Sequence, residues 1–191
     1  MELTHREFAH RFAALSADLG SGELDVLIGL LHRREVAEGE VLIAEGKTSD
    51  VLFLVWEGAA GVRLGGAEVG RYGTGATLGE ISFLDGGPST ASVVTVLPTT
   101  LLWIDRATFE SLYLAHPRIA TCLLHAVCRE LATRMRNSTE LLESLREGRD
   151  GGEPQPGPPH HGFLDAIRHL FGLAPAQPDT VSDSTDIPPR N

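Results

Sequence analysis

Turn-forming residues punctuate the middle of the chain at short intervals. Between residues 34 and 104, Gly, Pro, Asp, Ser or Thr separates one short apolar run from the next about every 8 to 12 residues or less. Runs of this length suit β-strands, and most of the intervals between them are too short for a crossover helix. We therefore predict a small antiparallel sandwich or barrel and not alternating strand and helix units. The predicted strands cover residues 40–44, 51–56, 61–64, 69–72, 92–97 and 99–103.

Two segments with helical spacing of apolar residues precede the strands. They cover residues 4–17 and 21–32, and each places its apolar side chains on one face. Ser21 lies three residues before Leu24 and is a candidate N-cap for the second helix. The sequence thus predicts two amphipathic helices before the β segment.

Helical spacing returns after Asp105, and either Asp105 or Thr108 is the candidate cap of the next helix. A first, short helix is expected to end at His116, because Pro117 disfavours a helical conformation in the residue before it. Pro117 fits the first turn of a second, longer helix that we expect to run to residue 146. The fold class predicted from these elements is α+β, an antiparallel β-roll at about 34–104 flanked by N-terminal helices and by a long C-terminal helix at about 117–146.

The last part of the chain, residues 147–191, has a different composition. It holds eight of the eleven prolines, and acidic residues exceed basic ones. Such a segment buries too little apolar surface to offset its ordering entropy, so we expect a mostly disordered tail after a domain at residues 1–146. One island, residues 162–173, has the spacing of a short amphipathic helix that folds when it docks on a partner protein. Its apolar face comprises Phe163, Leu164, Ile167, Leu170 and Phe171.

The net charge excludes several classes of function. The 191 residues contain 16 Lys and Arg against 26 Asp and Glu, a formal charge of -10. A protein with this charge repels polyanions, which argues against DNA binding and against a polybasic membrane surface. The sequence has neither a long apolar stretch nor the pattern of a signal peptide, so we expect no membrane insertion and a cytoplasmic location.

The sequence shows no recognisable catalytic motif. It has no Gly-x-Ser-x-Gly motif and no pair of histidines at metal-ligand spacing, and Gly46-Lys47-Thr48 lacks the leading glycine of a phosphate-binding loop. Cys122 and Cys128 are six residues apart on a predicted helix and form neither a disulfide nor a zinc site alone. We expect no enzyme activity, no metal and no required cofactor.

The most informative segment is residues 79–93, called the cassette below. Its sequence is Gly79-Glu-Ile-Ser-Phe-Leu-Asp-Gly-Gly-Pro88-Ser-Thr-Ala-Ser-Val93. A glycine after a strand, a short helical turn and a Gly-Gly-Pro turn expose successive backbone N–H groups around a concavity that favours an anion.

The cassette resembles the phosphate-binding cassette of the cyclic-nucleotide-binding domain family. The similarity extends over about residues 10–145 and includes Gly39-Glu-Val-Leu, Glu45-Gly46, the strand and turn from Asp50 to Gly58, Gly70, Gly73 and Leu78-Gly79-Glu80. The order of β-roll, short helix and long helix also agrees. The resemblance implies a cyclic-nucleotide-binding-type β-roll.

The resemblance also implies where a cyclic nucleotide would bind. In the family, the residues matching Gly79 and Glu80 contact the ribose 2′-hydroxyl and neighbouring groups, and the residue after the cassette proline is usually an arginine that pairs with the cyclic phosphate. Here that residue is Ser89. The absence of the arginine's charge should weaken binding of a cyclic nucleotide by about 2 to 5 kcal/mol. The candidate ligand-binding residues are Gly79, Glu80, Ile81, Ser82, Ser89 and Thr90.

Two interpretations of the cassette stay open. In the first, Ser89, Thr90 and the backbone amides hold a phosphate weakly, helped by Arg63 or Arg71 from a neighbouring strand. In the second, Glu80 caps the short helix and Ser89 and Thr90 only start the next strand. Residues of the long helix cover the base in the family, but spacing does not separate such a lid from an ordinary solvated face. The lid candidates are Thr133, Arg134, Arg136 and Asn137.

The long helix also carries a seam of apolar residues at alternating steps of three and four, typical of a coiled coil. It predicts a homodimer, with packing of the helix on its own β-roll as the alternative. The seam residues are Leu124, Cys128, Leu131, Met135, Leu142 and Leu145.

Two functions follow from these features. One is a non-catalytic regulatory or sensor module with weak or altered binding of a cyclic nucleotide. The other is a degenerate, ligand-free dimeric scaffold or adaptor that docks a partner through the tail helix. Relatives that regulate transcription carry a helix-turn-helix after the long helix, and here the proline-rich tail takes that place.

Overall fold

The computed structural model describes residues 3–147, with side chains up to residue 140. It contains six helices and eight strands in this part of the chain. In order they are α1 His5–Arg11, α2 Ala13–Ser16, α3 Ser21–Leu30, β1 His32–Val36, β2 Val41–Ile43, β3 Val51–Glu57, β4 Ala59–Leu64, β5 Ala67–Gly73, β6 Thr77–Leu78, α4 Glu80–Asp85, β7 Ser92–Thr95, β8 Thr99–Asp105, α5 Arg106–Ala115 and α6 Pro117–Glu147. The tail and its predicted helix lie outside the described residues.

The strands form two four-stranded antiparallel sheets. Their orders are β1-β8-β3-β6 and β2-β7-β4-β5. The predicted α+β fold with an antiparallel β-roll is therefore confirmed, and all six predicted strands are present. The sequence pattern missed β1, whose residues are charged and exposed apart from Val36, and the two-residue strand β6.

Strand β3 explains how one sheet serves two cores. Leu52, Leu54 and Trp56 pack into the cluster formed with the helices, whereas Phe53 and Val55 pack into the cluster between the sheets. Successive side chains of a strand point to opposite faces, so five consecutive buried residues require cover on both sides. This is why the run reads as continuously apolar and not as alternating.

The N-terminal helices differ in detail from their predicted bounds. The first predicted helix is broken at Phe12, whose φ of -117° and ψ of 53° separate α1 from α2. The second ends at Leu30, and β1 begins two residues later. Ser21 is the first helical residue and not the N-cap. Gly20 takes the cap position, and its N–H donates to the Glu23 carboxylate at 2.9 Å.

Helices α5 and α6 follow the sequence prediction closely. Asp105 caps α5 by accepting a hydrogen bond of 2.7 Å from the Thr108 N–H, and α6 begins at Pro117. One face of α6 packs on the domain core through Ile119, Ala120, Leu123, Ala126 and Val127. Among the described helices, none combines the length and apolar character that crossing a bilayer requires.

Candidate functional site

Two glycines shape the backbone of the cassette. Gly79 precedes α4 with a φ of +83°, and Gly86 follows it with a φ of +72°. Ser82 then closes the turn, since its hydroxyl donates to the Gly87 carbonyl oxygen at 2.6 Å and accepts from the Ser49 N–H at 2.9 Å. The two glycines and the hydrogen bonds of Ser82 thus define the backbone of the cassette from Gly79 to Gly87.

Glu80 lies at the start of α4 and is 6% exposed. Its Oε1 accepts a hydrogen bond of 2.7 Å from Nη1 of Arg134, which belongs to helix α6. Burial raises the pKa of Glu80 above its ordinary value, although the charge of Arg134 opposes that shift. A salt bridge therefore ties the cassette directly to the long helix.

Arg134 is the centre of a wider polar network. Its Nη2 donates to the Thr77 carbonyl oxygen at 2.5 Å and to the Glu130 carboxylate. Its guanidinium lies over the Tyr72 ring, 4.2 Å from the centroid. Burial alone would lower the pKa of Arg134, yet the carboxylates of Glu80 and Glu130 hold it above its ordinary value. The group stays charged.

Glu130 of helix α6 connects the network to strand β6 of the β-roll. Its carboxylate accepts hydrogen bonds from the Thr77 N–H at 3.1 Å and from the Thr77 hydroxyl at 2.5 Å. We call Glu80, Glu130 and Arg134 the charged cluster. It joins strand β6, helix α4 and helix α6 at one point.

The other end of the cassette is Ser89. Its N–H donates to the Lys47 carbonyl oxygen at 2.8 Å, and its carbonyl accepts from the Gly46 N–H at 2.8 Å. The residue is 7% exposed, and among the described residues its hydroxyl has no hydrogen-bond partner. A buried hydroxyl that lacks a partner is costly.

Comparisons with known proteins identify the family. Residues 33–116 match the family model described as the cyclic nucleotide-binding domain. The cyclic AMP receptor protein of Thermus thermophilus is 33% identical over 184 residues, which cover 86% of this chain and 80% of that protein. The chain belongs to the cyclic-nucleotide-binding domain family.

A solved structure and a second curated relative show the extent of the similarity. The solved structure of the Thermus thermophilus catabolite activator protein superposes with a TM-score of 0.59 at 26% identity, over 84% of this chain and 86% of that one. The cAMP-dependent protein kinase regulatory subunit of Yarrowia lipolytica is 27% identical over 114 residues. This chain spans only 30% of that subunit's length.

The six candidate ligand-binding residues fall into three groups in this family member. Glu80 and Ser89 are buried. The Glu80 carboxylate pairs with Arg134, whereas the Ser89 hydroxyl has no partner among the described residues. Gly79, Ile81 and Thr90 are half-buried. Ser82 uses both its donor and its acceptor inside the turn, so its role is structural in this conformation.

The structure places the residues that the two interpretations name. Gly79 occupies the N-cap position of α4, and the Glu80 carboxylate pairs with Arg134. Of the four lid candidates, Arg134 forms a hydrogen-bonded ion pair with the cassette. Arg71 is held by Glu68 in its own strand at 3.0 Å.

Sequence reasoning missed three members of the network. Tyr72, Thr77 and Glu130 were not candidates, and only Glu130 had a signal. It lies four residues before Arg134, the spacing at which opposite charges on a helix pair. That pattern was indistinguishable from an ordinary solvated helix face.

Proposed function

We propose that this chain is a non-catalytic regulatory module in which the cassette controls the position of helix α6. The observation that carries the proposal is the buried salt bridge between Glu80 of the cassette and Arg134 of the helix. A ligand hydroxyl that binds Glu80 competes with this guanidinium and so changes how firmly the β-roll holds the helix. Such a ligand acts through its different affinities for the two helix positions.

Binding of a cyclic nucleotide is weak in this proposal. Ser89 offers a hydroxyl where a charge-assisted bond to phosphate would need a cation, a loss of about 2 to 5 kcal/mol. The similar protein from Thermus thermophilus is named a cyclic AMP receptor protein, which makes cyclic AMP the first ligand to test. We expect its dissociation constant to be weaker than about 100 μM.

Restoring the cation tests this directly. The Ser89→Arg variant should bind cyclic AMP at least about 30-fold more tightly than the wild type in titration calorimetry. Ser89→Lys is the second variant, since a slimmer cation is easier to accommodate at a buried position. Ser111→Arg adds the same charge at an exposed position of helix α5 and serves as the control.

The binding constants of the variants are compared only for protein that is shown to be folded. Far-UV circular dichroism and a cooperative melt establish that each variant is folded. If neither cassette variant binds more tightly than the control, the proposal that this cassette receives a phosphate-bearing ligand is wrong.

A second candidate function is a ligand-free scaffold or adaptor. It is favoured by the same salt bridge, because the guanidinium of the protein itself already satisfies Glu80. In this case the tail binds a partner through its predicted helix, which lies outside the described residues. Absence of binding by the wild type and by both cassette variants favours this function over the first.

We also propose that the chain is a homodimer through helix α6. Cys128 and Met135 of the predicted seam are exposed, and Met135 is 51% exposed. Leu124 is half-buried. Leu131 packs against the core of its own domain, so part of the seam is intramolecular. Leu142 and Leu145 lie beyond the described side chains.

Light scattering on a Met135 variant tests the dimer. Met135→Glu places a charge at the seam of both protomers and should halve the mass at micromolar concentration. Arg136→Glu alters the neighbouring exposed residue and should leave the mass unchanged. If the wild type and Met135→Glu have the same mass, the proposal that the chain dimerises through this seam is wrong. Leu131→Glu is less suitable, because it also disturbs the core.

A further inference from the structure

The charged cluster holds more negative than positive groups. It comprises the carboxylates of Glu80 and Glu130 and the guanidinium of Arg134. Nη1 of Arg134 donates to Glu80 at 2.7 Å, and Nη2 donates to Glu130. A single guanidinium therefore serves two carboxylates. When both carboxylates are ionised, the contact between the cassette and helix α6 carries an uncompensated negative charge.

The neighbouring strands supply no further charge to the cluster. In the part of the chain with described side chains, neither Glu80 nor Glu130 forms an ion pair with a residue other than Arg134. Strand β5 contributes the ring of Tyr72, 4.2 Å from the guanidinium. Strand β6 contributes Thr77, which does not titrate. The balance of charge at this contact thus depends on the three members of the cluster.

The other charged residues around α4 are engaged elsewhere or lie at its far end. Asp85, the last residue of α4, accepts a hydrogen bond of 2.8 Å from the Gly87 N–H. Arg106 of α5 donates to the Ser82 carbonyl oxygen at 2.7 Å. Strand β3, which packs against α4, has a single titratable side chain, the exposed Glu57 at its last position.

The two carboxylates of the cluster differ in burial and in their donors. Glu130 accepts from the Thr77 N–H at 3.1 Å, from the Thr77 hydroxyl at 2.5 Å and from Arg134. Among the described side chains, Glu80 has one donor, Nη1 of Arg134, besides its own backbone N–H. The Glu80 side chain is 8% exposed and that of Glu130 is 27% exposed. A proton that enters the cluster therefore binds at Glu80.

We propose that the charged cluster is a pH-sensitive latch, in which a proton on Glu80 holds helix α6 against the cassette and loss of that proton loosens the helix. With the proton bound, the cluster is neutral. Without it, a negative charge stays buried, and movement of α6 lets water reach Glu80. Arg134 keeps a counter-charge when the helix moves, because Glu130 lies four residues before it on the same helix.

This inference rests on the proposed function for the movement of α6 and adds pH as a signal that needs no ligand. Burial raises the pKa of Glu80, Arg134 opposes that shift, and Glu130 adds to it. The docked state therefore keeps the proton to a higher pH than a released state in which water reaches Glu80. Docking is firmest in mild acid and weakens as the pH rises through the docked-state pKa.

Hydrogen exchange of the full chain measures the latch. Mass spectrometry follows residues 126–140 at pH 6 and pH 8, with rates corrected for the intrinsic pH dependence of exchange. Protection of this segment in the wild type should fall at least about fivefold over this range, because a released helix opens more readily. Glu80→Gln, which resembles the protonated form, should change less than about twofold. Glu110→Gln removes an exposed carboxylate of α5 and should keep the wild-type pH dependence.

A second variant tests the balance of charge. Glu130→Gln leaves one carboxylate for one guanidinium, so that an ionised Glu80 is compensated. The fall in protection between pH 6 and pH 8 should therefore be smaller than in the wild type. If Glu130 only holds the helix in place, Glu130→Gln will lower protection by the same factor at both pH values, and the proposal is wrong.

A measurement on the wild type requires no substitution. The Nε–H of Arg134 is buried and has no hydrogen-bond partner among the described residues. Its nitrogen-15 resonance should titrate between pH 5 and pH 8 as Glu80 loses its proton. A resonance that stays constant would overturn the proposal. So would unchanged protection of α6 in the wild type, or the wild-type pH dependence in Glu80→Gln.

The latch and the proposed function can fail separately. If pH changes the protection of α6 in a chain that binds no cyclic nucleotide, the latch is supported and control by a ligand is wrong. If cyclic AMP changes the protection of α6 at constant pH but pH alone does not, the regulatory module is supported and the latch is wrong.

Discussion

Replacement of Arg134 by methionine is expected to lower the free energy of unfolding by about 3 to 5 kcal/mol. The substitution keeps much of the apolar stem but leaves Glu80, which is buried, without its counter-charge. Removing one partner of a buried ion pair costs more than the pair itself contributes, because the remaining charge has lost its water and gains nothing in return. Glu130 and the Thr77 carbonyl lose the same donor.

Urea unfolding of four proteins measures this effect. They are the wild type, Arg134→Met, Glu80→Gln and the double variant. The double variant should be more stable than Arg134→Met, since a neutral glutamine tolerates burial better than an unpaired carboxylate. Arg136→Met removes a neighbouring exposed arginine of the same helix and should change stability by about 0.5 kcal/mol or less.

The pH dependence gives an independent check. The pKa of Glu80 is already raised by burial, and loss of Arg134 removes the main charge that opposes this shift. A carboxyl with a raised pKa in the folded state favours folding at low pH and loses that contribution as the pH rises through the folded-state value. The deficit of Arg134→Met should therefore be larger at pH 7 than at pH 5. A deficit that does not vary with pH would assign the loss to packing alone.

The fold was predictable because the pattern of the strands is dictated locally. The run from Leu52 to Trp56 is apolar at every position, and the turns around it carry the glycines that a roll of short strands needs. Strand β1 escaped prediction because it is charged and pairs with β8 through its backbone, so its pattern shows no buried face. A strand held by backbone pairing with few buried side chains leaves little trace in the sequence.

The site was predictable only on the cassette side. Gly79 and Glu80 lie in a short, distinctive segment, whereas Arg134 is one of several cationic residues on a long helix. The contact joins residues 54 positions apart, and only the packing of α6 on the β-roll decides which arginine faces the cassette. Tyr72 and Thr77 carry no functional signal in the sequence and become relevant through Arg134 alone.

Replacement of Gly79 by alanine should also have a large effect, about 2 to 5 kcal/mol of lost stability. Two causes add at this position. The φ of +83° disfavours any residue with a Cβ, and that Cβ would lie 2.8 Å from the Val51 carbonyl oxygen and 2.7 Å from Ile43 Cδ1. The isoleucine tip can rotate, but the backbone oxygen belongs to strand β3 and cannot retreat without disturbing the sheet. The start of α4, and Glu80 with it, must then move.

Gly39 offers a matched control that separates the two causes. Its φ of +82° is nearly the same, but a Cβ there would meet no heavy atom within 4 Å. Gly39→Ala should therefore lose only the conformational part, about 1 to 2 kcal/mol, and the excess loss in Gly79→Ala measures the close approach of the cassette to β3. Urea unfolding gives both values. Equal losses would mean that the cassette yields at little cost, and a cassette that yields so easily could not transmit ligand binding from Glu80 to Arg134 and helix α6.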